Sequence, residues 1–367
     1  MSLVVLATGA ASAYESRLAR GMQFRPLAIR SIVSVAAGGG VGIALAMQGA
    51  GVMALVAQQV VTSCLALALL VLQSGWRPRF TWRGLAIREF FADGSRVGLT
   101  GLFGFMTSHG DTVLVSVFFG SYATGIYSFA KRLTSAIYLI VGSSLLKLAI
   151  PLFAQTSGNP VALREAYVRI LGISMFLMAP MLAGLSVLAQ PAIGLFFGSV
   201  WAPAAPIVSL LSVMYLFLAA NQVNDYLLFA VGARTAPMKR TLLQIVLLVV
   251  LGIGSSGLGL AWTAAAFVVA GVAVWPWAQW LVNRHLHSGF LRLALALKSP
   301  AIATAGMVSA LLLSMHYTTV TSLTLIVLVI GGALLYFAIH WLVIRISPRS
   351  HDALKDLLQW RGVKPAA

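Results

Sequence analysis

Apolar runs of about 20 residues recur from one end of the chain to the other, separated by short polar or basic breaks. A helix of that length covers roughly 30 Å of hydrocarbon. The pattern predicts ten full spans, over residues 30–49, 51–74, 95–119, 124–153, 167–190, 203–230, 238–255, 257–281, 298–315 and 320–345. The runs are continuous and lack the period-two alternation of barrel strands, which argues against an outer-membrane barrel. The opening stretch MSLVVLATGAASAY is too short to span and lacks the basic start of a signal peptide. It reads as the last part of a helix. The fold class is therefore all-α, a polytopic helical membrane protein of about ten full spans plus an N-terminal partial helix.

Composition agrees. The 367 residues are 60% hydrophobic and only 9% charged, against about 25% charged in a soluble domain. The net charge of +17 would suggest nucleic acid if the cations were clustered for it. Instead, all but three of the 25 lysines and arginines fall in alternate breaks and in the tail, from Arg17–Arg30 through Arg77–Arg96 to Arg345–Lys364. The breaks near 50, 121, 195, 256 and 318 hold none. The positive-inside rule places the basic breaks and the C-terminus in the cytoplasm. The charge is a topology signal, and no nucleic-acid partner is expected. Residues 347–367 read either as an amphipathic helix on the inner surface or as a frayed end. Cys64, the single cysteine, reads as a small packing residue.

The three remaining cations are Lys131, Arg132 and Lys147, all within the span 124–153. A charge at mid-membrane costs about 2.5–3.5 kcal/mol on insertion scales, so it needs a partner or a watery cavity. Only two acids, Asp111 and Asp225, lie within spans. Asp111 and Arg132 stand about equally far before and after the turn near 122, which puts them at similar depth on adjacent antiparallel helices. An Asp111–Arg132 ion pair is expected, either as plain neutralisation or as a gate or substrate contact. Lys147 shares broadly one helical face with Arg132, with snorkelling to the interface as its alternative. His109 lies two residues before Asp111, on a different face. Asn221, Asn224 and Asp225 sit at i, i+3 and i+4 on one helical face, turned either to a cavity or to neighbouring helices.

Several chemistries are not signalled. No Walker A motif occurs, which argues against an ATP-driven pump. His285 and His287 have no carboxylate beside them, so no metal site is expected, and no cofactor is implied. GSSGLG reads as a tight turn, and Gly38–Gly40, Gly252 and Gly254 as small residues for close helix packing.

The order of several short motifs resembles a known family. They are RGMQFRPLAIRS, AMQGAGVMALVAQQVV, GWRPRF, DTVLVSVFFGSYATGIYSFAKRL, AIPLFAQ, GLSVLAQPAIGLFFGSVWAPAAPIVSLL and LLFAVGARTAP. Over about residues 1–285 the chain resembles the polysaccharide exporter branch, the Wzx-type oligosaccharide flippases, of the multidrug/oligosaccharidyl-lipid/polysaccharide (MOP) flippase superfamily. Asp111, Gly120, Gly125, Tyr127, Ala130, Arg132 and Leu133 match one family string, and Phe197, Gly198, Trp201 and Ala204 another. The resemblance implies two six-helix lobes around a central cavity, often followed by two more helices. Here the first three helices and part of the fourth would be missing.

On that frame, residues 1–75 are a remnant of the N-terminal lobe and 76–92 a basic cytoplasmic linker. Residues 93–285 form the C-terminal six-helix lobe, 286–346 two additional helices, and 347–367 a cytoplasmic tail. The implied function is alternating-access translocation of an undecaprenyl-diphosphate-linked oligosaccharide across the bacterial inner membrane. The alternatives are a drug/cation antiporter of the same superfamily, a membrane polymerase or ligase of the same pathway, or an inactive truncated relative. The implied partners are the lipid-linked oligosaccharide, the bilayer, polysaccharide polymerase or assembly proteins, and a coupling proton or sodium ion. Arg132, Lys131 and Lys147 would receive the diphosphate, and Asp111, Asp225, Asn221 and Asn224 would couple or gate.

Overall fold

The computed structural model describes residues 2–20, 24–76, 87–233, 235–286, 289–318 and 321–346. The expected tail at 347–367 and residues 77–86 of the expected linker lie outside the described residues, as does the side chain of Lys147. Among the described residues all regular structure is helical. The α-helices are α1 Ser2–Arg20, α2 Phe24–Met47, α3 Val52–Ser74, α4 Ile87–Thr156, α5 Pro160–Phe196, α6 Ala205–Ala230, α7 Thr235–Ser255, α8 Leu260–Ala273, α9 Trp275–Leu286, α10 Phe290–Tyr317 and α11 Ser322–Ile346.

Nine stretches among the described residues are long and apolar enough to cross a membrane. One of them, Gly101–Thr156, has 56 residues, which would reach about 84 Å as a straight helix. It is not straight. Gly120 adopts φ 75° and ψ −172°, a region essentially closed to residues with a Cβ. The two arms of α4 fold back on each other there, so this stretch supplies two crossings. The spans expected at 95–119 and 124–153 are both present, with the turn reduced to one glycine. The GSSGLG segment forms the expected turn, a short 3-10 piece Ser256–Leu258 between α7 and α8.

The chain divides into two compact units, Met1–Phe91 and Ala92–Ala367. In the first, α1 packs on α3 and α2 on α3 around Ala11, Tyr14, Leu18 and Leu70. Gly38 lets α2 approach α3 closely: a Cβ there would lie 3.0 Å from the Gln58 carbonyl oxygen and closer still to the Thr62 hydroxyl. Gly39 and Gly40 face open space, so only one of that glycine run serves packing. Cys64 is exposed, contrary to expectation. Its neighbour Ser63, about 100° around the helix, is the residue turned inward. Glu15 and Arg30 form an ion pair between α1 and α2.

In the second unit, α5 and α6 are the central pair. Asn159 caps α5, its side-chain oxygen accepting from the Val161 and Ala162 amides. Helices in lipid gain little from apolar burial against each other and depend on close packing. Tyr127, Tyr167, Phe153 and Phe267 are fully buried. Gly252 of α7 leaves room for Phe267, whose Cε1 would lie 2.7 Å from an added Cβ, and for Leu114 of α4 at 3.0 Å. Gly254 meets nothing. Helices α10 and α11 pack on each other and on α5.

An alanine at 120 has space, since nothing lies within 4 Å of its Cβ, but its backbone would be strained. Gly120→Ala should therefore cost about 1–3 kcal/mol and lower the melting temperature of the purified protein in detergent. Gly125→Ala, also in open space but inside the helix, should leave it unchanged or raise it. Equal melting of the two variants would show that the turn does not depend on Gly120.

Candidate functional site

The second unit encloses a cavity of about 660 Å³. Its wall comes from both arms of α4 and from α6, α7 and α8, and four of its lining residues are charged: Asp111, Lys131, Asp225 and Arg240. They form two ion pairs, so the wall carries no net formal charge.

The first pair joins the arms of α4. The Lys131 ammonium donates to both oxygens of Asp111, at 2.6 and 2.8 Å, and to the Ser108 carbonyl at 2.6 Å. The Tyr127 hydroxyl donates to Asp111 Oδ2 at 2.8 Å, and the Thr112 amide to Oδ1 at 2.7 Å. Asp111 is buried, with its side chain 6% exposed, and Lys131 is 17% exposed on the cavity side. Tyr127 and Lys131 are one helical turn apart, on one face, and both reach across to the same carboxylate.

The expected partner, Arg132, is thereby corrected. It stands about 100° around the helix from Lys131. It is exposed, makes no ion pair among the described residues, and does not line the cavity. Depth counting brought the right level of the helix to Asp111, but one residue of rise is only about 1.5 Å. The direction around the helix decided the contact. Lys147 falls on α4, and its side chain lies outside the described residues. His109 lines the cavity and packs at a tilt against Phe105, 5.1 Å between ring centres.

The second pair joins α6 to α7. Arg240 grips Asp225 with a two-pronged contact, Nε to Oδ1 at 3.2 Å and Nη2 to Oδ2 at 2.7 Å. Its Nη1 donates to Gln244 Oε1 at 2.9 Å, one turn further along α7. The guanidinium fork suits this geometry in a way an ammonium does not. The sequence reading missed Arg240 by counting it as a topology charge of a cytoplasmic break. A signal was available. Asp225 and Arg240 flank the break at 231–234 almost symmetrically, so the depth argument used for Asp111 applies to them equally.

The single polar face expected for Asn221, Asn224 and Asp225 is split. Asp225 turns to the cavity, whereas Asn221 and Asn224 are buried and do not line it. Asn224 accepts from the Tyr167 hydroxyl at 2.6 Å and donates to Gln279 at 3.3 Å. Gln279 in turn donates to Asn283 at 3.0 Å. This chain ties α5, α6 and α9 together, the inter-helix alternative that the spacing left open. Among the described residues nothing donates a hydrogen bond to Asn221 Oδ1.

Comparison with known proteins agrees with the architecture. A family model described as "Polysaccharide biosynthesis protein" matches residues 1–206. The succinoglycan biosynthesis transport protein ExoT of Rhizobium meliloti (strain 1021) is 34% identical over 218 residues, covering 58% of this chain and 43% of that protein. The teichuronic acid biosynthesis protein TuaB of Bacillus subtilis (strain 168) is 24% identical over 293 residues, covering 77% of this chain and 59% of that protein. The chain thus spans about half the length of these curated relatives. The solved structure of the lipid II flippase MurJ in an inward closed conformation superposes with a TM-score of 0.73 at 13% identity, covering 94% of this chain and 72% of that one. The fold is shared.

Removing one member of a buried pair strands the other. Asp111→Asn should destabilise the protein by about 3 kcal/mol, the low end for a buried pair, because Lys131 keeps some exposure. The double variant Asp111→Asn/Lys131→Met should recover more than half of that loss in thermal melts. Strictly additive losses would show that the two side chains are not coupled.

Proposed function

This chain belongs to the polysaccharide biosynthesis protein family, and from that premise we propose that it serves as a flippase for lipid-linked oligosaccharide in a bacterial inner membrane. The single observation carrying the reading is that both ion pairs of the second unit border one cavity. Neutralisation alone does not require two buried pairs to share a chamber. A chamber for an anionic guest does require cations, and cations that must first fold within a bilayer need carboxylates to hold them meanwhile.

The guest is a polyprenyl diphosphate bearing sugars, by analogy with ExoT, which is named a succinoglycan biosynthesis transport protein, and MurJ, named a lipid II flippase. Lys131 and Arg240 receive the diphosphate oxygens, with Arg240 taking the place first given to Arg132. Asp111 and Asp225 give up their cations and are neutralised by a proton or a sodium ion. On the topology of the basic breaks, the C-terminus is cytoplasmic. The Asp111–Lys131 pair is then about 15 Å from the outer turn at Gly120, and the Asp225–Arg240 pair about 11 Å from the inner turn. Both lie near the middle of a roughly 30 Å core, where alternating-access transporters hold their substrates. The lipid tail stays in the bilayer while the head group crosses.

The test is complementation of polysaccharide export in a strain deleted for the corresponding gene, using the gene in its full genomic reading frame. Lys131→Ala and Arg240→Ala should each lower export at least tenfold at matched protein level, and Arg240→Lys should not restore it. Arg132→Ala should stay within about twofold of wild type. Full export with both Lys131 and Arg240 replaced would remove the cavity from the mechanism. Uptake of protons driven by small organic cations, with no dependence on lipid-linked sugar, would favour an antiporter.

A further inference from the structure

Helix α5 carries a proline near its middle. Pro180 stands 20 residues after Pro160 and 16 before Phe196. Proline has no N–H, so the Phe176 carbonyl, four residues back, loses the donor that a regular helix would give it. The Tyr336 hydroxyl of α11 takes that place, donating to the Phe176 carbonyl oxygen at 2.8 Å. Tyr336 is itself held. Its ring is buried, lies 5.6 Å from the Phe176 ring, and stacks on His340 one turn along α11, 5.9 Å between centres. His340 packs on Phe176 in turn, and its Nδ1 is hydrogen-bonded to Ser299 Oγ of α10 at 2.9 Å.

From this contact toward Phe196, α5 borders an apolar groove of about 490 Å³. Pro180, Gly184, Leu188 and Ala192 line it at steps of four, one face of the helix. Leu325 and Gly332 line it from α11. Helices bend at prolines, and a bend of about 20° at Pro180 moves the far end of α5, roughly 24 Å away, by about 8 Å. We propose that Pro180 is a hinge and that Tyr336 is the clasp that holds it in the state seen here. Release of the clasp swings residues 181–196 toward α11 and closes the groove. Ser209, near the start of α6, donates to the Ser186 carbonyl at 2.8 Å. The moving part of α5 therefore pulls on α6, the helix that presents Asp225 to the chamber. The last two helices thereby set the shape of the bundle beside them, whatever guest the chamber takes.

Spin labels on Leu195→Cys of α5 and Leu323→Cys of α11, both exposed positions, report the width of the groove in a Cys64→Ser background. The reading is dipolar electron paramagnetic resonance on purified protein in nanodiscs. Tyr336→Phe removes the hydroxyl and keeps the ring, and the share of molecules at the shorter distance should rise about fivefold, the scale set by losing one hydrogen bond. Pro180→Ala returns the missing N–H, so in that background Tyr336→Phe should change the share less than about twofold. Gly184→Leu has room for its Cβ, the nearest atom being Met307 Cε at 3.8 Å, and its side chain fills the groove. It should suppress the shorter distance with or without Tyr336→Phe. A purely structural role for Tyr336 predicts lower melting with unchanged distances. Unchanged distances in Tyr336→Phe, a shift to longer ones, or an equal shift in the Pro180→Ala background overturns the hinge.

Discussion

A charge inside hydrocarbon must meet its opposite, and the second unit is arranged around that constraint. The arms of α4 turn back at Gly120 and are tied at Asp111, where Lys131 and Tyr127 both arrive from the far arm. Helices α6 and α7 are tied at Asp225 by Arg240, close to the turn at 231–233. Each tie closes a helical hairpin, and both face one chamber. Desolvating four ionised groups is costly unless geometry and extra hydrogen bonds repay it. The Thr112 amide, the Ser108 carbonyl and Gln244 supply those extra bonds. A well-packed apolar core would have held the helices at least as well, so the ionic arrangement points to a use beyond stability.

Packing around the chamber keeps the ties in register. Gly252 admits Phe267 and Leu114, which brings α7 and α8 close to the first arm of α4. The Tyr167–Asn224–Gln279 chain holds the neighbouring edge of α6 to α5 and α9. Helix α6 therefore carries two polar faces with different tasks. Asn224 locks the helix into the bundle, and Asp225, one residue on, serves the cavity.

Much of this was legible in the residues. Apolar run length gave the crossings, because the hydrocarbon thickness fixes how long a span must be. The motif order pointed to the family that the residues 1–206 match confirms. Scarcity of charge singled out Asp111 and Asp225, the only acids within the spans expected from the sequence. Counting from the turn then found the right depth for the cation opposite Asp111. What counting could not supply was direction around the axis, so Lys131 and Arg132 were told apart only by the structure. Asn221 and Asn224 were grouped with Asp225 because i, i+3 and i+4 share a face in general. A face about 100° wide can nevertheless border a cavity on one edge and a neighbouring helix on the other. Arg240 was hidden by its usefulness as a topology marker: a cation a few residues into a helix looks like loop charge until its partner is placed.

The central claim is that this chamber is watery and accepts an anionic guest, and the accessibility of its wall tests that most directly. Ser135 lines the cavity, and the exposed Cys64 can be replaced by serine to give a cysteine-free background. In that background, Ser135→Cys should react with a water-soluble, charged maleimide in folded protein, and undecaprenyl diphosphate should slow the reaction several-fold. A cysteine at 135 that reacts only after unfolding, or whose labelling the lipid leaves unchanged, would contradict the account.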